Sequence, residues 1–146
     1  MFKTRVVASS LIATVFIAIT AITVASAGND KLKVVYHVSD VDKVQFALNN
    51  IKNHIKGVGG PENVKLALVV HGPALKEFHD IQVTDRVRKL ATELQGEGVE
   101  LNACGNTMRA QAVEIDELIP GFVRVDQGGV VRIAELQAQG YLYIRP

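Results

Sequence analysis

Short apolar runs alternate along the chain with segments in which apolar residues recur every three or four positions. Leu32–Val38 and Val64–Val70 are rich in β-branched residues, which is typical of strands. Only Lys65 interrupts the second run, a pattern that favours a strand covered on both faces in a parallel sheet. Between the two runs, helical spacing is shown by Val41, Val44, Leu48, Ile51 and Ile55.

The alternation continues through the second half of the chain. A second amphipathic helix starts near Gln82 or Thr84, and three further strands are predicted over 99–104, 122–125 and 141–144. A short helix follows from about residue 106 to 112, where Asn106 and Thr107 offer capping side chains. The inward positions of the second and last helices are predicted to be Val83, Val87, Leu90 and Leu94, and Val130, Ile133, Ala134 and Leu136.

Strands that alternate with helices predict parallel βαβ units, and right-handed crossovers place helices on both faces of one sheet. The expected fold is therefore a three-layer α/β/α sandwich around a mostly parallel five-stranded sheet. There is no internal repeat and no low-complexity tract.

The first 27 residues have the pattern of an export signal. Lys3 and Arg5 precede an apolar run over 6–24, which ends at Ala25-Ser26-Ala27, a small-residue cleavage motif. We expect a signal peptide over 1–27, a mature domain over 28–146, and a periplasmic or secreted location. The alternative is an uncleaved anchor, because the apolar run approaches the roughly 20 residues that a membrane-spanning helix needs.

The charge of the mature domain is close to neutral. Two of the 16 basic residues, Lys3 and Arg5, lie in the leader, which leaves 14 basic against 15 acidic residues. Nucleic acid is not an expected partner, because phosphate binding needs a basic surface. No membrane association is expected once the leader is removed.

Cys104 is the single cysteine of the chain, so no internal disulfide forms. Its alternatives are a buried inert filler, a bond to another molecule, or a working thiol. It ends a predicted strand and precedes a predicted helix, where unpaired amide hydrogens and the helix dipole favour a thiolate. These features predict that Cys104 is the catalytic residue, if the chain has one.

Ligands of open α/β sheets bind outside the carboxyl ends of the strands, where His37, His71 and Cys104 are predicted to converge. His71 is suited to donating a hydrogen bond to bound sulfur or an anion, and Gly72 lets the backbone approach closely. The alternatives are an exposed turn histidine at His71 and a structural histidine at His37. A zinc or copper site on His37, His71 and Cys104 has suitable donors but no metal-motif spacing, so no metal and no cofactor are predicted.

The remaining histidines, His54 and His79, lie in helical stretches and are expected at the solvated surface. The sequence lacks a nucleophile elbow, a P-loop, a dinucleotide-binding glycine motif, C-x-x-C and H-E-x-x-H. The sequence therefore contains no motif that indicates a hydrolase, a nucleotide-binding protein, a thioredoxin-like protein or a zinc protease.

Five short motifs are distributed over the mature domain: residues 36–38 (YHV), 48–50 (LNN), 71–73 (HGP), 103–108 (ACGNTM) and 136–146 (LQAQGYLYIRP). In these motifs the chain resembles the DsrE/DsrF-like family, and the likeness covers essentially the whole mature domain. It implies a flavodoxin-like sandwich, assembly into a homotrimer or hexamer, and a persulfide-accepting cysteine at Cys104. His71 and Asn106 would then stabilise the thiolate, and the partners would be a sulfane-sulfur donor and an acceptor thiol protein.

Two departures qualify the resemblance. Sulfur-relay members work in the cytoplasm, whereas the leader directs this chain outward, and the residues around Cys104 differ from those expected in that branch. Two functions therefore remain open for this chain. The first is a periplasmic sulfur carrier that uses Cys104, and the second is a non-catalytic ligand-binding or assembly module with a structural Cys104.

Overall fold

A computed structural model describes residues 31–146, which form five strands and four α-helices joined by short 3-10 segments. The leader predicted over 1–27 lies outside the described residues. The strands are β1 (Leu32–Val38), β2 (Val64–Val70), β3 (Glu100–Cys104), β4 (Phe122–Val125) and β5 (Leu142–Ile144). The helices are α1 (Val44–Gly57), α2 (Asp85–Gly96), α3 (Gly105–Gln111) and α4 (Gly129–Ala138).

All strand pairs are parallel, in the order β4-β3-β2-β1-β5. The chain moves one strand at a time from β1 to β4 and then crosses the whole sheet to reach β5. Because crossovers keep one hand, the reversal of direction places α4 on the face opposite to α1 and α2. The three-layer sandwich and its five-stranded parallel sheet are confirmed.

The two faces of the sheet have separate cores of unequal size. The larger core contains the apolar sides of α1 and α2, including Leu48, Ile51 and Leu94, all fully buried. The smaller core forms where Ile133 and Leu136 of α4 pack on the sheet positions Val35, Ala67 and Val69. His37, His71 and Cys104, the candidate site residues, lie at the carboxyl end of this smaller face.

A polar cluster around the buried side chain of Asn102 fixes α4 to β3. Arg132 donates to Glu100 Oε1 at 2.7 Å and to Asn102 Oδ1 at 3.3 Å. Asn102 is fully buried in the sheet, and its side-chain amide also donates to the carbonyl of Leu68. Buried polar groups of this kind need partners, so the cluster holds α4 in one position across the sheet.

Several helix positions differ from the sequence prediction. Val41 is 43% exposed in a 3-10 turn, Val41–Lys43, which precedes α1. Val83 lies before α2 rather than within it. The helix is capped by Thr84, as predicted, and the Thr84 hydroxyl accepts from the Val87 amide. Val130 is 69% exposed and Ala134 is also exposed, so their predicted inward placement is wrong. The first turn of α4 lies at the carboxyl edge of the sheet, where less of the sheet lies under it.

The predicted surface placement of His54 and His79 is also wrong, because both are only partly exposed. His54 Nδ1 is hydrogen-bonded to the Tyr36 hydroxyl at 2.9 Å, and His79 Nε2 to Gln111 Oε1 at 3.0 Å. Each imidazole thus joins two elements of the larger core side.

Candidate functional site

Cys104, His71 and His37 lie at the carboxyl ends of three adjacent strands, on the face covered by α4. The β2–β3 register pairs Val70 with Ala103, so the next residues of the two strands, His71 and Cys104, are neighbours. Side chains alternate along a strand, and His37 and His71 share the face of Val35 and Val69 in the smaller core. The predicted convergence at this edge is present in the structure.

Cys104 is the N-cap residue of α3 and is only 5% exposed. Hydrogen-bond donors surround its sulfur: the amide of Gly129, the hydroxyl and amide of Thr107, and the amide of Asn106. Burial raises the pKa of the Cys104 thiol, and hydrogen bonding from these donors outweighs burial and leaves that pKa below its usual value. The start of α3 and the start of α4 thus both favour a thiolate at Cys104.

Glycine at position 129 lets α4 begin directly over this cysteine. A Cβ at Gly129 would lie 3.2 Å from Val69 Cγ1, 3.3 Å from Cys104 Cβ and 3.4 Å from His71 Cβ. The α4 backbone therefore packs closely against Cys104 and His71, and a side chain at position 129 would force the helix farther from them. The sequence indicated only that a helix starts after Gly128-Gly129. In the structure, the Gly129 amide donates to the Cys104 sulfur.

Thr107 couples the cysteine to the loop after β2. Its hydroxyl oxygen accepts from the Gly72 amide at 2.8 Å, which leaves its own hydrogen free to face the sulfur. Gln111 donates to the Gly72 carbonyl at 2.9 Å, and Gly72 has a φ of +59°, which glycine adopts without strain. Both backbone polar groups of Gly72 are therefore occupied by α3.

Asn106 contributes through its backbone. Its amide faces the Cys104 sulfur, while its exposed side chain accepts from the Arg109 guanidinium. The side chain also lies at the rim of the cavity into which Cys104 opens.

His37 and His71 are in direct contact. Their Nε2 atoms lie 2.5 Å apart, and His37 Nδ1 is 2.7 Å from the Tyr143 hydroxyl. His37 is buried, and burial, His71 and the nearby Arg145 lower its pKa to about 4, although Asp40 acts in the opposite direction. Burial and Arg145 also lower the pKa of His71.

Sequence reasoning missed Tyr143 as a site residue. Its place next to His37 depends on the pairing of β5 with β1, in which Tyr143 lies opposite Val35. Strand alternation would have shown which face Tyr143 occupies once that pairing was known, but no sequence pattern gives the order of strands in a sheet.

Two cavities lie side by side along this edge. The first, about 240 Å³, is lined by His71, Cys104, Asn106, Thr107 and residues 127–131. The second, about 260 Å³, is lined by His37, Val130, Ile133, Ala134, Gln137 and Tyr143. Val130 borders both, so the cavities flank the first turn of α4, and the Cys104 sulfur is reached from the first.

The described part of the chain, residues 31–146, contains no group of three or more His, Cys, Asp or Glu side chains placed to hold a metal ion. His37, His71 and Cys104 do not meet at one point, so this geometry gives no support to the zinc or copper alternative. Among the same residues no helix is both long and apolar enough to cross a membrane.

The fold and site define a small parallel α/β/α domain whose single cysteine lies at the carboxyl edge of the sheet. The chain belongs to the DsrE/DsrF-like family, whose sequence pattern it matches over residues 13–146. No curated protein matches the chain in sequence.

Solved structures agree with this assignment. The chain is similar to MTH1491, a protein of unknown function from Methanobacterium thermoautotrophicum, with a TM-score of 0.69 and 28% identity over 80% of this chain and 100% of that chain. The ychN protein from E. coli has a TM-score of 0.56 at 14% identity, over 80% and 98%. BT1422 from Bacteroides thetaiotaomicron, also of unknown function, has a TM-score of 0.52 at 19% identity, over 84% and 99%. The last two similarities concern the fold alone.

Proposed function

We propose that the protein is a sulfane-sulfur carrier in which Cys104 holds the sulfur as a persulfide. The observation that carries this proposal is the position of Cys104, which caps α3 beneath the Gly129 start of α4 and lines a cavity at the carboxyl edge of the sheet. Amide and hydroxyl donors from the starts of both helices lower the pKa of this thiol. Membership of the DsrE/DsrF-like family supports a role in sulfur relay at the coarser level.

The reaction is an exchange between sulfur atoms and needs no oxidant. The Cys104 thiolate attacks the outer sulfur of a donor persulfide, the donor S–S bond breaks, and the donor thiolate leaves and takes up a proton. In the second half, an acceptor thiolate attacks the outer sulfur of the Cys104 persulfide and releases the Cys104 thiolate. The amides of Gly129 and Asn106 and the Thr107 hydroxyl stabilise the negative sulfur at both ends of the cycle.

The test is incubation of the intact protein with inorganic polysulfide, followed by mass spectrometry. We expect a mass increase of one sulfur atom, located on Cys104 by peptide fragmentation and absent from Cys104→Ser. A wild-type protein that stays unmodified while a small reference thiol reacts would overturn the proposal.

Export is part of the proposal. The charge, apolar run and Ala25-Ser26-Ala27 motif of the first 27 residues support cleavage after Ala27 and a periplasmic location. Cell fractionation followed by mass measurement of the purified protein tests it. A protein recovered from the cytoplasm with its leader intact would contradict export.

The second candidate function is a non-catalytic assembly or ligand-binding module. It is favoured by exposed apolar side chains on the first turn of α4, at the two cavities: Val130 is 69% exposed and Val131 46%. We propose that this surface joins copies of the chain into a homotrimer or hexamer. Sedimentation equilibrium tests assembly. A Cys104→Ser protein whose assembly, ligand binding and activity all match those of the wild type would favour this module over the carrier.

A further inference from the structure

A row of hydrogen-bonding side chains leads away from the Cys104 cavity across three neighbouring strands. His71 directly follows β2, His37 lies near the end of β1, and Tyr143 lies on β5. The links are short: 2.5 Å between the two imidazole Nε2 atoms and 2.7 Å between His37 Nδ1 and the Tyr143 hydroxyl.

The contact between the imidazoles fixes how many protons lie between them. A neutral imidazole has one N–H donor and one bare acceptor nitrogen. At 2.5 Å two N–H groups would collide, and two bare nitrogens would repel, so the pair is stable only with a single shared proton between the Nε2 atoms. While the contact lasts, the pair can take up one additional proton at a free ring nitrogen and no more.

The two ends of the row open into different cavities. His71 lines the cavity of Cys104, whereas His37 and Tyr143 line the neighbouring one. Tyr143 is 41% exposed, so its end of the row reaches solvent. A bulky sulfur donor seated over the nearly buried Cys104 would cover the first cavity and leave the second open.

We propose that His71, His37 and Tyr143 form a proton relay that takes the proton of the Cys104 thiol and returns it to the leaving thiolate during sulfur transfer. This inference rests on the proposed function. The Cys104 proton moves to the histidine pair, the thiolate attacks the outer sulfur of the donor persulfide, and the departing thiolate regains one proton from the pair. The sum is donor persulfide plus Cys104 thiol giving donor thiol plus Cys104 persulfide, and no net proton is gained or lost.

Charged and titratable groups around the pair are consistent with a neutral resting state. Arg145 on the segment after β5 and Asp40 after β1 face it and pair with each other at 3.1 Å, while Cys104 lies on the β3 side and Tyr143 on the β5 side. Burial and Arg145 lower the pKa of both imidazoles, so the pair is uncharged near neutral pH and readily gives a transferred proton back to the leaving thiolate. His71 is the member placed in the thiol cavity, and His37 and Tyr143 are positioning residues that act through it.

The matched controls lie on the opposite face of the same strand. Tyr36 and His54 form an equivalent tyrosine–histidine hydrogen bond at 2.9 Å, remote from Cys104. Tyr143→Phe and His37→Gln therefore remove the relay links, and Tyr36→Phe and His54→Gln remove a bond of the same kind without touching the relay.

Three measurements test the relay. Nitrogen NMR of labelled imidazoles should show one protonated and one bare Nε2, coupled across the shared proton. The pH profile of iodoacetamide alkylation of Cys104 should change in Tyr143→Phe and His37→Gln but not in the two controls. Sulfur uptake from polysulfide should slow by roughly tenfold or more in His37→Gln, a typical effect of losing acid–base assistance.

The outcomes separate the relay from the carrier function. Two protonated or two bare Nε2 atoms, or alkylation profiles that match those of the controls, would overturn the relay even if Cys104 takes up sulfur. A wild type that takes up no sulfur but shows the shared proton and the altered alkylation profiles would instead overturn the carrier function and leave an acid–base coupling of the thiol.

Discussion

Burial raises the pKa of the Cys104 thiol, but neighbouring donor hydrogens lower it further than burial raises it, and Thr107 contributes two of these donors, its hydroxyl and its amide. The hydroxyl has a double role, since its oxygen also accepts from the Gly72 amide. A hydrogen bond to a charged group contributes about 1.5–3 kcal/mol, and one pKa unit corresponds to about 1.36 kcal/mol. The side chain at position 107 should therefore have a measurable effect on the sulfur.

Thr107→Val should raise the pKa of Cys104, because it keeps the shape of the side chain and removes the hydroxyl donor. Thr107→Ser, which retains the hydroxyl, should stay near the wild-type value. The pH dependence of iodoacetamide alkylation gives both values. Equal pKa values in the two variants would show that the hydroxyl does not act on the sulfur.

The histidine pair makes the stability of the protein depend on pH. The pKa of His37, lowered to about 4, and that of His71, also lowered, mean that the unfolded chain binds more protons than the folded chain below about pH 6.5. The free energy of unfolding should therefore fall as the pH drops from about 6.5 toward 4. His37→Gln should reduce this slope in urea titrations across that range, and an unchanged slope would contradict the lowered pKa of His37.

At the scale of elements, the position of α4 decides whether the site exists. The cluster of Arg132, Glu100 and Asn102 holds the helix against β3, and Gly129 lets its first turn approach Cys104. Neither feature acts chemically on sulfur. Together they place one backbone amide where it stabilises the thiolate.

Gly129→Ala tests this placement. The added methyl would contact Val69, Cys104 and His71 at 3.2–3.4 Å, so α4 must shift away from the sheet. We expect a loss of roughly 1–3 kcal/mol in the free energy of unfolding, typical of overpacking, and a higher pKa of the Cys104 thiol. Urea denaturation and alkylation kinetics measure the two effects.

Gly96→Ala is the matched control, because it lies at the end of α2 and no atom would lie within 4 Å of the new methyl. It should leave both quantities near wild type. If Gly129→Ala behaves in the same way as this control, the close approach of α4 is not what activates the thiol.

At the scale of the whole molecule, much of the fold follows from local patterns. Apolar runs such as Val64–Val70 and the helical spacing of residues such as Leu48 and Ile51 gave the strands and helices, because burial on a parallel sheet demands those patterns. The convergence of His37, His71 and Cys104 also followed, since the carboxyl ends of parallel strands share one edge.

The rest of the site depends on relations between distant elements. Tyr143 meets His37 only because the last crossover carries β5 past the entire sheet to pair with β1. Val130 fits the helical pattern of a core residue, yet it lines both cavities because the first turn of α4 reaches the sheet edge. The sequence suggested a role for the side chain of Asn106, whereas in the structure it is the backbone amide of Asn106 that faces the sulfur. Spacing along one element carries none of this information.

A sulfur carrier must both accept and release sulfur at Cys104. The most direct measurement is a loading and unloading experiment followed by intact-protein mass spectrometry: polysulfide first, removal of excess, then a small acceptor thiol. We expect a gain of one sulfur atom on Cys104 and a return to the unmodified mass as the acceptor becomes a persulfide. A protein that never loads, or that loads and does not release its sulfur to the thiol, would contradict it.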